Sequence, residues 1–395
     1  MKVVVVCHGS RGDVEPGIAA GRELLRRGHD VLVAAPSNML GFVEAAGLTA
    51  VAYGPDSREE MNPASELFRD LTTKMHGEVT MLTKVVEHVT QVKADKTATL
   101  KAVARGADLL LAGFNEQGLV ANMAEYQRIP MAALQPFPTR ILSSQSMVPV
   151  VTKQTDDAQR HALGLSEAPG SAAAEPLEIQ AYDALCLPGP PADWVDPGGR
   201  RPFVGALTLE LATDSDDEVL SWIADGNPPI YFGFGSTPIP SPAETAAVIS
   251  AACARLGERA LICAGPNDFT QMPNLDNVKV VGSVNHAAIF PACRAAVHHG
   301  GAGTTAAALR AGIPALILWF WLDQPVWAAG IERLKVGSGR AFSASTLDSL
   351  VADLCSVLTP ECRVRAGEVA AQMSKPADSA AGVADLLEEM VLTGG

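Results

Sequence analysis

The chain has 395 residues, 48% hydrophobic and 19% charged, which suits a globular protein of two domains at roughly 100–200 residues each and excludes wholesale disorder. With 30 Lys and Arg against 44 Asp and Glu, a net charge of −14 and only 5% aromatic residues, it lacks the basic surface and stacking rings of a nucleic-acid binder. Met1-Lys2 runs straight into an apolar stretch, with no basic region and no small-residue cleavage site, and apolar runs such as Ala311 to Trp321 fall short of the ~20 residues of a bilayer span. Seven scattered cysteines with no CxxC spacing suit reduced thiols rather than a disulfide framework or zinc site. A soluble, cytoplasmic protein is expected.

Lys2–Cys7 is a continuous β-branched run, expected of a strand buried on both faces. Pro16 is placed in the first turn of the helix that follows, Gly28 ends that helix, and His29–Ala35 forms the next strand. The stretch from about Glu59 to Arg105 is polar and helical in character. Strands at Asp108–Ala112 and Pro130–Leu134 flank a helix from Gln117 to Gln127. From Ser143 to Arg201 the pattern gives way to Ala, Pro, Gly and acidic residues, followed by the acidic run Asp214–Glu218. Strands return at Ile230–Phe234, Ala260–Cys263, Val278–Val281, Ala295–His298 and Ala315–Trp319, with helices at Thr304–Ala311 and Gln324–Leu334. This alternation predicts an α/β protein of two doubly wound parallel-sheet domains with a cleft between them. The expected boundaries are 1–205, a linker at 206–220, 221–375, and a C-terminal helix at 376–395 packing back toward the first domain.

His298-His299-Gly300-Gly301-Ala302-Gly303-Thr304-Thr305 carries the strongest chemistry. It joins a strand to a helix, so small residues let a ligand approach backbone N–H groups at a positive helix end. A diphosphate is the natural occupant; a tight turn needing glycine for shape alone is the structural alternative. Gly301-x-Gly303-x-x-Ala306 also fits a dinucleotide fingerprint with Asp323 downstream, but it belongs to a late βα unit rather than the first of its domain. Gly233-Phe-Gly-Ser236-Thr237 ends another strand and offers a second set of phosphate-facing groups.

In the first half, Asp13 follows a strand end in His8-Gly-Ser10-Arg11-Gly12-Asp13, where a general base belongs. The alternative for Asp13 is a helix N-terminal cap. Arg11 is read as neutralising or orienting Asp13, or as simply solvated, and His8 as a rival base. Asp323 and Gln324 can bind vicinal hydroxyls, with Trp321 offering an aromatic face, or Asp323 can cap the helix behind it.

The chain resembles the GT-B-fold, nucleotide-sugar-dependent glycosyltransferases. Gly9–Pro16, His298–Thr305 and Asp323-Gln324 carry the resemblance, and Gly9–Pro16 is typical of the branch containing sterol, glycopeptide-antibiotic and mycobacterial glycolipid enzymes. Ala20–His29 and Phe114-Asn-Glu-Gln117 look most similar to actinobacterial glycolipid rhamnosyltransferases. The resemblance implies Asp13 as catalytic base, with Arg11 beside it counted among the catalytic residues from the loop's own charges. It implies His299 on the phosphates with Gly303, Thr304 and Ser236, and the glycine-rich loops themselves add Ser10, Gly12, Thr237, His298, Gly300, Gly301 and Ala302 to the expected donor-binding set. Val284 is implied against the nucleobase and Asp323 and Gln324 against the sugar, with Trp321 expected to add its aromatic face. Met75 and Phe137 are the candidate acceptor contacts.

An inverting transfer without metal or cofactor is implied, from a dTDP- or UDP-sugar to a hydrophobic small-molecule or lipid acceptor. At most peripheral membrane contact is expected, and a monomer or homodimer. Ala307 stands where UDP-sugar relatives carry a ribose-binding Glu, which favours a dTDP-sugar. A sugar-nucleotide epimerase on the same fold and a non-catalytic two-lobed binding protein are the alternatives.

Overall fold

The structure, a computed structural model, describes residues 1–58, 78–139, 148–166, 176–189, 199–269 and 277–393, with backbone alone for 78–88 and 148–155. Residues 1–181, 196–207 and 377–395 form one compact unit, and residues 182–195 with 208–376 form a second.

In the first unit, β1 (Lys2–Val6) carries four consecutive valines with no exposed surface, as the centre of a parallel sheet demands. It is followed by α1 (Arg11–Arg26), β2 (Asp30–Ala35), α2 (Leu40–Ala45) and β3 (Thr49–Ala52). Then come α3 (Glu78–Val103), β4 (Leu109–Ala112), α4 (Gln117–Gln127), β5 (Met131–Gln135), α5 (Val148–Leu163) and β6 (Leu177–Gln180). The strands are all parallel, in the order β3-β2-β1-β4-β5-β6, with Val4 lying between Leu32 and Leu110. A core on one face of this sheet joins Val4, Val6, Leu110 and Ala112 to Leu100, Val120 and Met123 of the covering helices.

The second unit runs through α6 (Asp216–Ala224), β7 (Ile230–Gly233), α7 (Pro242–Leu256), β8 (Ala260–Cys263), β9 (Val278–Val281) and α8 (His286–Ile289). It continues through β10 (Ala295–His298), α9 (Ala302–Arg310), β11 (Ala315–Trp319), α10 (Gln324–Leu334), β12 (Gly337–Ala341), α11 (Leu347–Val357) and α12 (Pro360–Ala370). Its parallel order is β12-β11-β10-β7-β8-β9, the same winding as the first sheet. The last helix, α13 (Pro376–Thr393), joins the first unit, where Asp385 and Glu388 hold Arg27 and Glu388 meets His29 at 2.7 Å.

Each sheet therefore reverses its strand order once, between β1 and β4 and between β7 and β10. At such a switch point the loops leaving the strand ends diverge and open a crevice for ligands. Two doubly wound parallel sheets are what the sequence pattern called for. Three edge strands, β3, β6 and β12, went unread. Helix α1 begins at Arg11, so Pro16 lies inside it, past the first turn, because Ser10 and Asp13 cap the chain upstream. The division between units also differs from a single junction at 206–220: residues 182–195 already belong to the second unit, and 196–207 return to the first.

Candidate active site

In the first unit, the chain leaving β1 turns at Gly9 and enters α1 with Ser10 as N-cap. Asp13, third in the helix, reaches back so that its Oδ2 accepts the Ser10 backbone N–H at 2.7 Å and the Ser10 hydroxyl at 2.8 Å. The carboxylate thus sits at the positive end of a helix on the switch point of its sheet, partly buried. Burial raises its pKa above the ordinary carboxylate value, against the pull of Ser10, the nearby His8 and an Asn115 hydrogen bond. Asn115 follows β4 and also donates to the His8 carbonyl at 3.0 Å, so it ties the two strand ends of the switch point to Asp13. Arg11 turns elsewhere: its Nε binds Glu15 at 2.7 Å and its guanidinium lies 4.7 Å from the centre of the Phe42 ring. His8 is buried, with Nε2 donating to the Pro55 carbonyl at 3.1 Å.

Beside it, Glu116 takes Lys96 Nζ at 2.8 Å on one oxygen and the Tyr53 hydroxyl at 2.6 Å on the other, all three side chains being buried. Phe137 packs edge-on against Phe114 at 4.6 Å, which gives the end of β5 an aromatic wall. Met75 lies outside the described residues.

In the second unit, the loops after β7 and β10 meet around one side chain. A Cβ on Gly235 would fall 2.5 Å from His299 Cε1, and one on Gly301 would fall 2.6 Å from His299 Nε2. The imidazole is therefore held between two glycine surfaces at the N-terminus of α9, where Gly301 is the N-cap. Burial holds the His299 pKa at about 4, opposed by the Gly233 carbonyl, so the ring is neutral near pH 7. Ala302, Gly303 and Thr304 form the first turn of α9, whose N–H groups have no partner within the helix. Thr304 is partly exposed there, whereas Thr305 is buried with its hydroxyl on the Gly301 carbonyl at 2.9 Å. Ser236 is partly exposed on the β7 turn, and Thr237 is buried behind it. His298 is wholly buried and offers no surface to a ligand.

The segment after β11 shapes itself before it can read a sugar. Gln324 Oε1 accepts the backbone N–H groups of Phe320 at 2.7 Å and Trp321 at 3.3 Å. Asp323 Oδ2 takes the Trp327 indole N–H at 2.6 Å. Trp321 is half exposed. Val284 is buried in a loop that Asp216 pins through Asn285 N at 2.8 Å, together with the N–H and hydroxyl of Thr213. Burial works against the Asp216 charge, but these donors outweigh it and leave its pKa below the usual range. The sequence showed Asp216 only as part of an acidic run, and Asn115 only as part of a resemblance. The switch-point rule points to Asn115, because it sits at the end of β4.

Among the described residues, no cluster of three or more His, Cys, Asp or Glu side chains has metal-binding geometry, and no helix is long and apolar enough to cross a membrane. None of the seven cysteines is in a disulfide.

The family described as erythromycin biosynthesis protein CIII-like, C-terminal domain, matches residues 261–390. An uncharacterized glycosyltransferase of Mycobacterium tuberculosis is 54% identical over 98% of this chain and 99% of its own. The chain belongs to the glycosyltransferases, and its fold is GT-B.

This glycosyltransferase is also 29% identical to GtfE of Amycolatopsis orientalis, over 98% of this chain and 97% of that one. It is 27% identical to the sterol 3-beta-glucosyltransferase UGT80B1 of Arabidopsis thaliana, over 97% of this chain and 67% of the plant protein. Its fold matches the calicheamicin glycosyltransferase CalG4 with a TM-score of 0.74 at 18% identity, covering 99% of this chain and 98% of that one. It matches VinC, solved in complex with dTDP, with a TM-score of 0.67 at 18% identity, covering 100% and 99%.

Proposed function

We propose that this glycosyltransferase moves a hexose or deoxyhexose, with inversion, from a dTDP-sugar to a hydroxyl of a hydrophobic natural-product or glycolipid acceptor. The observation that carries this reading is the His299 ring held between Gly235 and Gly301 at the start of α9. It gathers an imidazole and unpaired helix N–H groups where a diphosphate would develop charge as it leaves. Ser236 and Thr304 add hydroxyls to the same anion. Asp323 and the amide of Gln324 bind sugar hydroxyls; the Gln324 Oε1 is committed to the backbone, which leaves its NH₂ as the donor.

Asp13 takes the proton of the acceptor hydroxyl, and the oxygen attacks the anomeric carbon from the face opposite the diphosphate. A new C–O bond forms as the bond to the β-phosphate oxygen breaks, and the electron pair leaves with the nucleotide diphosphate. Burial makes Asp13 a stronger base than an ordinary carboxylate. One base and one leaving-group site suffice for a single displacement.

Two observations favour thymidine. Solved structures of this fold, VinC and SsfS6, hold dTDP, and Ala307 offers no carboxylate to a ribose 2′-hydroxyl. Calorimetric titration with dTDP and UDP tests the choice: dTDP is expected to bind more tightly. Tight UDP binding with no heat from dTDP would reverse it. A screen of dTDP-sugars against phenols, macrolides and lipid glycosides, read by product mass, tests transfer itself.

A further inference from the structure

His298 is the last residue of β10, in register with Gly233 of β7 and Ile317 of β11, and it is 0% exposed. Its Nδ1 accepts the backbone N–H of Gly300 at 3.1 Å. Because a backbone N–H only donates, Nδ1 must present its lone pair, and the neutral ring carries its proton on Nε2. Among the described residues nothing pairs with that Nε2. A buried donor without a partner costs stability, and an apolar side chain of similar size would avoid the cost. The imidazole is therefore accounted for by Nδ1, not by packing.

What Nδ1 holds is the pivot of the loop. Gly300 has φ +91°, a conformation a side chain rarely takes, and a Cβ there would lie 2.7 Å from Ile317 Cγ2 and 3.1 Å from Gln324 Cβ. The peptide at Gly300 is pressed against the start of α10, between His299 and the α9 N-terminus. If its N–H lost its acceptor, the loop could rotate away from both.

We propose that His298 is a positioning residue: from inside the unit its Nδ1 fixes Gly300 in the left-handed conformation that aims His299 and the first turn of α9 at the donor diphosphate. This rests on the donor-binding role proposed above for that loop.

Isosteres test it in the full chain. Asn places its Oδ1 where His carries Nδ1, Gln places an acceptor nearer the Nε2 position, and Leu offers none. The readouts are dTDP and UDP affinity by calorimetry, hydrogen exchange at the Gly300 amide by NMR, and Tm. His298→Asn is expected to stay within about threefold of the parent affinity with Gly300 protected. His298→Gln and His298→Leu are expected to lose about tenfold or more, the scale of one orienting hydrogen bond, with Gly300 exchanging faster. Tm of the Leu variant is expected to equal or exceed that of the parent.

The proposal is overturned if His298→Leu binds nucleotide like the parent with Gly300 still protected. It is equally overturned if Asn loses as much affinity as Leu, or if affinity simply follows Tm across the series. Failure of the parent to bind either nucleotide counts against the donor reading alone. The positioning role is then decided by exchange, faster Gly300 exchange in Leu but not Asn supporting it and unchanged exchange in Leu overturning it.

Discussion

Asp13 and Ser10 are joined twice, the Ser10 N–H and hydroxyl both donating to Asp13 Oδ2 at 2.7 and 2.8 Å. This is a capping box, the structural alternative for Asp13, and it also fixes the carboxylate that we propose as base. Stability separates the two roles. A carboxyl whose folded pKa is raised is destabilised in its charged form, so its contribution is best below the unfolded pKa and falls as pH rises through the folded one. Asp13→Asn removes that charge and keeps a carbonyl for the Ser10 N–H. At pH 7 it is expected to unfold at the parent midpoint or above while turnover falls about 10²- to 10⁴-fold, the range of a lost general base. Denaturant melts and initial rates check this; a stability loss of about 1 kcal/mol with activity intact would make Asp13 only a cap.

Ser10→Ala removes one donor that lowers the Asp13 pKa. The acid limb of the rate profile, where Asp13 must be ionised, is therefore expected to move to higher pH, with the plateau rate much less affected. In the parent the limb is already expected above the ordinary carboxylate range, because burial is the dominant influence on Asp13. A pH series of kcat/KM for both proteins measures the displacement; identical limbs would remove Asp13 from the rate profile.

The inner strands β8, β10 and β11 were legible because they are continuous, largely buried apolar runs, and they begin and end where the sequence placed them, as does the edge strand β9 with its Val-Lys-Val-Val run. The other three edge strands were less legible. The β12 sequence Gly-Ser-Gly-Arg-Ala has almost no β-propensity, and Gly337 is there because a Cβ would lie 1.9 Å from the Ala315 carbonyl. β6 is hidden in a stretch rich in Ala, Pro and acidic residues. In the site, His299 was legible from its glycine neighbours, whereas the partners of Arg11 and Gln324 were not. Arg11 selects Glu15 one helical turn on, and Gln324 selects backbone N–H groups of its own turn, choices that depend on where the helices begin.

Gly301 has φ −63°, an ordinary conformation for any residue, so Gly301→Ala adds no backbone strain. Its only effect is a methyl group 2.6 Å from His299 Nε2. The ring must shift, and nucleotide affinity is expected to fall about tenfold or more, with a stability cost of about 1–3 kcal/mol for overpacking. Calorimetry and thermal melts read the two separately. Parent-like affinity would show that the ring position is unimportant to binding.

Burial keeps His299 neutral in the ligand-free protein, with a pKa of about 4. A dianionic diphosphate against Nε2 reverses the local balance, since an adjacent anion favours the charged imidazolium. The complex then binds more protons than the free protein between pH 4 and the raised value, so affinity is expected to increase as pH falls through that window. Titrations of dTDP in buffers of different ionisation enthalpy give the number of protons taken up, expected to approach one per site near pH 6. His299→Asn is expected to abolish the uptake and weaken binding, because its amide donates without titrating. Binding heats that are independent of buffer would mean that His299 meets the phosphates as a neutral donor, with its second nitrogen protonated only toward the ligand.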